Sequence, residues 1–164
     1  MSTELILERV VPLTPEELWR GWTEPELLKT WFCPRPWQTT LAEIDLRPGG
    51  LFRTVMEGPD GERFDGSGCW LVVEPPHRLV WTSALGPGFA PLAPGAPFVF
   101  SCELRFDPVE GGTRYTARAV HATAEAAQQH AAMGFHDGWG KALDQLVEVV
   151  TAARQSLRGH VAEG

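Results

Sequence analysis

The residues with chemistry to offer are few. They are five histidines (His77, His121, His130, His136, His160), three cysteines (Cys33, Cys69, Cys102) and the strand serines Ser67 and Ser101. A metal site needs a close ligand pair with a third partner, and no His-Glu-x-x-His run occurs. His130 and His136 are six residues apart, which places them on different helical faces. No metal and no cofactor is therefore expected. A Ser or Cys nucleophile needs a histidine and a third group to orient it, and Ser67, Ser101 and Cys69 lie in strand-like text without such a pattern. Pro48-Gly49-Gly50 and Glu110-Gly111-Gly112 read as turns, not as phosphate loops. What remains is proton transfer by His136 or His121, because a half-buried imidazole titrates near neutrality. Asp45, Asp65, Glu57 and Arg53 are potential partners. The plainer alternative is that His136 meets solvent or a backbone group and the carboxylates face water.

These residues must be positioned by the elements around them. From Phe135 to Leu157, apolar residues recur at Phe135, Trp139, Ala142, Leu143, Leu146, Val150, Ala153 and Leu157, spacing that puts them on one helical face. Lys141, Asp144, Gln145, Glu148, Gln155 and Arg158 fall on the other, and Gly159 is a plausible terminator. At about 1.5 Å per residue this helix is ~34 Å long. Gly134, Gly138 and Gly140 at its front suggest close approach of another surface, room for a ligand, or a frayed first turn.

Upstream the text reads as strands. Glu4 to Val11 is the first. Thr14-Pro15-Glu16-Glu17 starts a short helix with a cap, a favourable proline and a returning glutamate. Thr23-Glu24-Pro25-Glu26 starts another, running to about Trp31. Strands follow from Trp37 to Leu46, Leu51 to Met56, Arg63 to Glu74 and Arg78 to Leu85. The turn Gly58-Pro59-Asp60-Gly61 falls between the second and third of these. Gly66 and Gly68 mark a bulge or a close contact. Residues 86–97 read as a mobile loop. Phe98 to Phe106 alternates most clearly, and Thr113 to His121 follows, with Arg114 and Arg118 able to meet Glu103 across the ladder. Thr123 caps a helix to about Met133. Hairpin succession makes neighbours antiparallel. A curved sheet wrapped around the long helix buries the apolar face of each, and the two short helices plug one end.

The chain has 164 residues, which suits one domain over 1–164 with a structured core of about 4–158. Its 14 Lys+Arg against 21 Asp+Glu leave a net charge of −7 and a pI near 5.2. This argues against nucleic acid and anionic membrane surfaces as partners. No window approaches a ~20-residue apolar span, and no signal peptide is evident at the N-terminus. The odd, scattered cysteines read as reduced thiols, so a cytoplasmic location is expected. Trp19, Trp31, Trp37, Trp70, Trp81 and Trp139 divide between core and ligand wall.

Arg9-Val10-Val11, Pro15 through Leu28 (PEELWRGWTEPELL) and Trp31-Phe32 resemble the opening of bacterial proteins similar to the activator of the 90-kDa heat-shock chaperone's ATPase. Asp45 through Gly50, Gly58 through Gly61 and Met133 through Trp139 match as well, so the resemblance runs from about residue 4 to residue 150. It implies the START-like (SRPBCC) superfamily and an α+β helix-grip fold. That fold has about seven antiparallel strands around a C-terminal helix, with an apolar cavity between them. The superfamily includes lipid carriers, polyketide cyclases, plant ligand-binding proteins and co-chaperone domains, so fold alone does not assign function.

On this basis the leading expectation is a binding protein for a small apolar or amphipathic ligand. Its cavity would be lined by Trp19, Trp31, Phe64, Trp81, Phe100, Phe135, His136, Trp139 and Leu143. Arg53 and His121 would orient the ligand, and the 86–97 loop and 58–61 turn would gate entry. An enzyme of the cyclase or aromatase kind, using His136, His121 or a strand carboxylate, is the second reading. A co-chaperone module is the third, although the eukaryotic activators' additional domain is absent. A homodimer is compatible with the chain.

Overall fold

A computed structural model describes residues 2–93 and 98–163, with side chains described through residue 157. The elements in chain order are β1 (Glu4–Val11), α1 (Pro15–Thr23), α2 (Pro25–Leu28), β2 (Gln38–Ile44), β3 (Leu51–Glu57), β4 (Arg63–Glu74), β5 (Arg78–Thr82), the short β6 (Leu85–Gly86) and β7 (Ala90–Pro91), β8 (Phe100–Val109), β9 (Gly112–His121), α3 (Ala124–Ala132) and α4 (Phe135–Glu163). Seven strands form one antiparallel sheet in the order β1-β9-β8-β5-β4-β3-β2. Strands β1 and β2 are thus opposite edges, and α1 and α2 carry the chain from one edge to the other. The architecture is the expected α+β helix-grip.

Alternation sorts the sheet into two faces. Leu7, Phe52, Trp70, Leu79, Trp81, Cys102, Leu104, Phe106, Tyr115, Ala117 and Ala119 point to the concave side and join Leu143, Leu146 and Val150 of α4 in one core. The convex side carries a charge ladder in which Glu4 and Glu103 flank Arg118, and Glu103 and Glu74 flank Arg78. Arg118 meets Glu103 across the ladder as expected. Arg114 does not, because register places it opposite Asp107 and against Glu8.

Local chemistry fixes the helices. Thr14 and Glu17 complete a capping box on α1. Arg154 of α4 also grips Glu17, donating from Nε to Oε2 at 2.6 Å, and so ties α1 to the long helix. Gly134, at φ +95°, makes the left-handed step that ends α3 and admits α4. Gly140 is explained by close approach: a Cβ there would lie 2.4 Å from the Arg9 guanidinium.

Several expectations are corrected. Helix α2 ends at Leu28, and hydrogen-bonded turns rather than helix carry the chain through Trp31. The last sheet strands begin at Phe100 and Gly112, and β5 ends at Thr82. Helix α4 continues past Gly159 to Glu163, since one glycine costs about 1 kcal/mol and does not by itself stop a helix. Its apolar stripe is buried only as far as Val150; Ala153 and Leu157 are exposed. Gln145 is buried, not on the solvent face. The expected mobile loop is anchored over residues 85–92: Gly88 donates to the Gly49 carbonyl at 2.7 Å and Leu92 to that of Ala84 at 3.1 Å. Residues 94–97 of that loop, and the side chains of Arg158 and His160, lie outside the described residues.

Candidate functional site

The front of α4 lies along β1. The Arg9 Nη1 donates to the Gly140 carbonyl at 3.4 Å and to Asp144 at 3.0 Å, and His136 Nε2 meets the Ile6 carbonyl at 3.2 Å. On the other flank the turn at residues 31–35 is held by Gln145 of α4. Its Nε2 donates to the carbonyls of Trp31 (3.1 Å) and Cys33 (2.8 Å), and its Oε1 accepts from the Arg35 amide at 3.0 Å. That turn carries Phe32 to the concave face, where it packs edge-on to Phe52 at 6.0 Å.

Between these flanks runs a chain of aromatic rings. Phe52 stacks on Trp70 at 4.6 Å and meets Trp81 edge-on at 5.2 Å. Trp81 touches Phe100 at 5.4 Å, Phe100 meets Trp139 at 6.2 Å, and Trp139 meets Phe135 at 4.7 Å. Trp139 and its neighbours therefore pack on one another instead of framing the open space expected beside Trp139. A cleft of about 300 Å³ lies instead at the seam of α2, β2 and α4, lined in part by Cys33, Trp37, Thr39 and Gln145.

The concave face is bare at one place. Inward positions along β4 read Phe64, Gly66, Gly68 and Trp70, so two successive positions carry no side chain. Phe64, at one end of this notch, is 47% exposed, whereas Trp70, at the other, is fully buried. The two glycines differ. A Cβ at Gly68 would lie 2.1 Å from the Thr82 carbonyl oxygen, so the sheet itself demands glycine there. At Gly66 the nearest obstacle is the Phe64 ring at 3.0 Å, a movable side chain. Half-buried Phe32, Ala42, Ile44, Phe100 and Trp139 sit around the core, giving the face an apolar rim.

A histidine pair closes the other end of the ring chain. His121 Nδ1 lies 2.9 Å from the Thr3 carbonyl and must donate to it. Its Nε2 shares a hydrogen bond of 2.8 Å with His130 Nδ1. His130 is enclosed by Phe98 and Phe100 (4.8 Å each), Phe135 (5.1 Å) and Trp139 (6.1 Å). Burial, and then the neighbouring His121, lower its pKa to about 4. His130 is therefore neutral at pH 7 and too weak a base there for efficient proton abstraction.

Of the expected site residues, Trp81, Phe100, Phe135 and Trp139 are brought together. Phe64 shares their face at its exposed end. Trp31 and Leu143 are core instead: Trp31 donates its indole N–H to the Gly21 carbonyl at 3.0 Å, and Leu143 is 1% exposed. Trp19 is half-buried against that core. Two placements are corrections. His136 is exposed and turned to the β1 edge, because its position on α4 faces Ile6 rather than the sheet interior. Arg53 points from the convex face, where Asp65 (2.9 Å) and Glu43 (2.8 Å) hold it, because it alternates with inward Phe52 and Thr54. His121 does face inward, but as half of the histidine pair. Sequence reasoning missed His130, Phe52 and Gln145, and left Trp70 between core and ligand wall. Phe52 had a usable signal, since it alternates with the charged Arg53. Gln145 had none. Among the described residues no His, Cys, Asp or Glu cluster could hold a metal ion, and no helix is long and apolar enough to cross a membrane.

A curled antiparallel sheet gripping a C-terminal helix, with an aromatic inner face, is the START-like helix-grip arrangement. The chain belongs, within it, to the family of the Activator of Hsp90 ATPase homolog 1-like protein, whose model matches residues 12–151. Among solved structures it is similar to a protein from Nitrosomonas europaea: 44% identity, 93% of this chain and 97% of that one, TM-score 0.89. A protein from Rhodobacter sphaeroides is 32% identical over 93% of this chain and 95% of its own, with TM-score 0.80. An AHSA1-like protein from Aeromonas hydrophila is 25% identical over 92% and 93%, with TM-score 0.67. No protein with a curated description matches the chain.

Proposed function

We propose that this protein binds a small apolar or amphipathic ligand on the concave face, in the notch at Gly66 beside Phe64. The observation that carries this reading is Gly66, an inward position without a side chain whose space only the Phe64 ring borders, in a face otherwise paved with rings. An apolar group seated there would bury surface on itself and on Phe64, each Å² contributing about 25 cal/mol. The three cysteines are free thiols, in keeping with a reducing, cytoplasmic setting.

Gly66→Leu is the informative variant. A Cβ at this position meets only the movable Phe64 ring, at 3.0 Å, so the backbone accepts a side chain that fills the notch. A thermal-shift panel of lipids and aromatic compounds should stabilise the wild type by mass action. The hits should lose roughly tenfold or more in affinity for Gly66→Leu, about 1.4 kcal/mol. No stabilising compound in the panel, or equal affinity for both proteins, would sink the reading.

The enzyme reading has less support. His136 is turned away, His130 is a weak base held by burial, and Asp65 and Glu57 alternate with inward residues. A co-chaperone role is supported by the family's description alone; recovery of the bacterial 90-kDa chaperone in a pull-down with purified components would establish it.

A further inference from the structure

The cleft at the seam of α2, β2 and α4 belongs to neither the ring chain nor the notch, and its volume of about 300 Å³ is enough for a small molecule. Its charge sets it apart. The chain has 21 Asp+Glu against 14 Lys+Arg, yet Lys29 and Arg35 both line this cleft and no carboxylate among the described residues does. Their counter-ions stand outside it. Glu26 meets Lys29 Nζ at 2.9 Å and Glu148 meets Arg35 Nη2 at 2.8 Å, and these two carboxylate side chains are 87% and 66% exposed. Surface pairs of this kind contribute little, so another anion can take the place of either carboxylate at small cost.

The rest of the lining is neutral and held in place. Gln145 pins the turn that carries Cys33 and Arg35, through the Cys33 carbonyl and the Arg35 amide. The buried Cys33 Sγ and Thr39 Oγ1 are hydrogen-bonded to each other at 3.3 Å. Burial raises the Cys33 thiol above its usual range, so at neutral pH no thiolate opposes an anion. Trp37, half-buried, gives the lining an aromatic ring.

We propose that this cleft binds a small organic anion, a carboxylate or a phosphate monoester, with its charge on the side of Lys29 and Arg35 and its flat apolar part against Trp37. Both anions accept charge-assisted hydrogen bonds from a guanidinium and an ammonium. The site is separate from the notch at Gly66, and neither proposal rests on the other.

The test is an NMR titration of the full chain at neutral pH with benzoate, phenyl phosphate and benzyl alcohol, which share a phenyl ring and differ in charge. At least one anion should bind roughly tenfold more tightly than the alcohol, the worth of a hydrogen bond to a charged group, and the tighter of the two identifies the anion the site takes. Added salt should weaken it. The Trp37 indole N–H and Thr39 amide resonances should shift, and those of Phe64 and Gly66 should not. Lys29→Gln and Arg35→Gln should each weaken the anion severalfold, and the double variant should bring it to the level of the alcohol. Glu26→Gln and Glu148→Gln should each tighten it about twofold or more, because each removes a carboxylate that competes for the cation. Gly66→Leu should bind it as the wild type does. Anions held no more tightly than benzyl alcohol, shifts centred away from Trp37 and Thr39, or an affinity unmoved in the Lys29→Gln/Arg35→Gln double variant would overturn this inference while leaving the notch intact.

Discussion

Replacing His130 by glutamine should flatten the acid dependence of this protein's stability. In the folded chain the His130 pKa is lowered from 6.5 to about 4, first by burial and then by His121. The unfolded chain therefore binds more protons between those values. Stability is full above about pH 6.5, falls as pH drops through that window, and levels off below about pH 4. Between pH 7 and pH 5 the loss from this one group is about 2 kcal/mol. For a domain of this size it lowers Tm by ~4–8 °C. Burial likewise opposes ionisation of Glu17 and Glu103, but Arg154 and Arg78 override it and hold both below the usual carboxylate range. Arg53 does the same for Asp65. These carboxylates therefore begin to cost stability only as pH falls below their unfolded values, and the pH 7 to 5 interval isolates the histidine. His130→Gln keeps an N–H for His121 and cannot take up the proton. Calorimetric melts of both proteins at the two pH values, with a histidine ring titration by NMR, are the assay. A wild-type melt that hardly moves between pH 7 and 5, or an equal slope in His130→Gln, would refute the dry aromatic enclosure argued for that end of the face.

Other variants probe the frame around it. Gln145→Leu removes three hydrogen bonds to the 31–35 turn, two of them buried, and urea denaturation should register a loss of about 3 kcal/mol; a loss near zero would mean the turn does not depend on α4. Gly68→Ala forces a Cβ onto the Thr82 carbonyl and should cost about 3 kcal/mol or more, whereas Gly66→Leu should melt close to the wild type. Arg53→Ala and His136→Ala should leave ligand affinity unchanged in the thermal-shift assay, since both side chains lie off the concave face. A marked loss in either would restore the roles first expected of them.

Much of the fold was legible from periodicity and punctuation. Glu4–Val11 and Arg63–Glu74 were bounded correctly by their apolar runs and turns. Thr14, Glu17 and Thr123 marked helix starts through cap chemistry that is purely local. The face of α4 was readable as far as Val150, because burial follows the 3.6-residue period. Gln145 was not, since its burial is set by three backbone groups more than a hundred residues away. The rings were harder still. Composition supplies seven tryptophans but cannot say which pack on which, and Trp31 and Phe64 proved to have opposite environments. Arg53 could have been placed: it alternates with Phe52, and only the assumption that a strand arginine serves a ligand drew it inward. The histidine pair needed the β9 end and the α3 end to meet, a tertiary fact with no local signature.

The most direct measurement is a set of filtered NOEs between the protein and the tightest ligand from the thermal-shift panel. The account predicts contacts from the ligand's apolar body to Phe64 and the Gly66 backbone protons. Contacts confined to the cleft around Cys33, Trp37 and Thr39, or to exposed residues such as Met133 and Leu157, would contradict it.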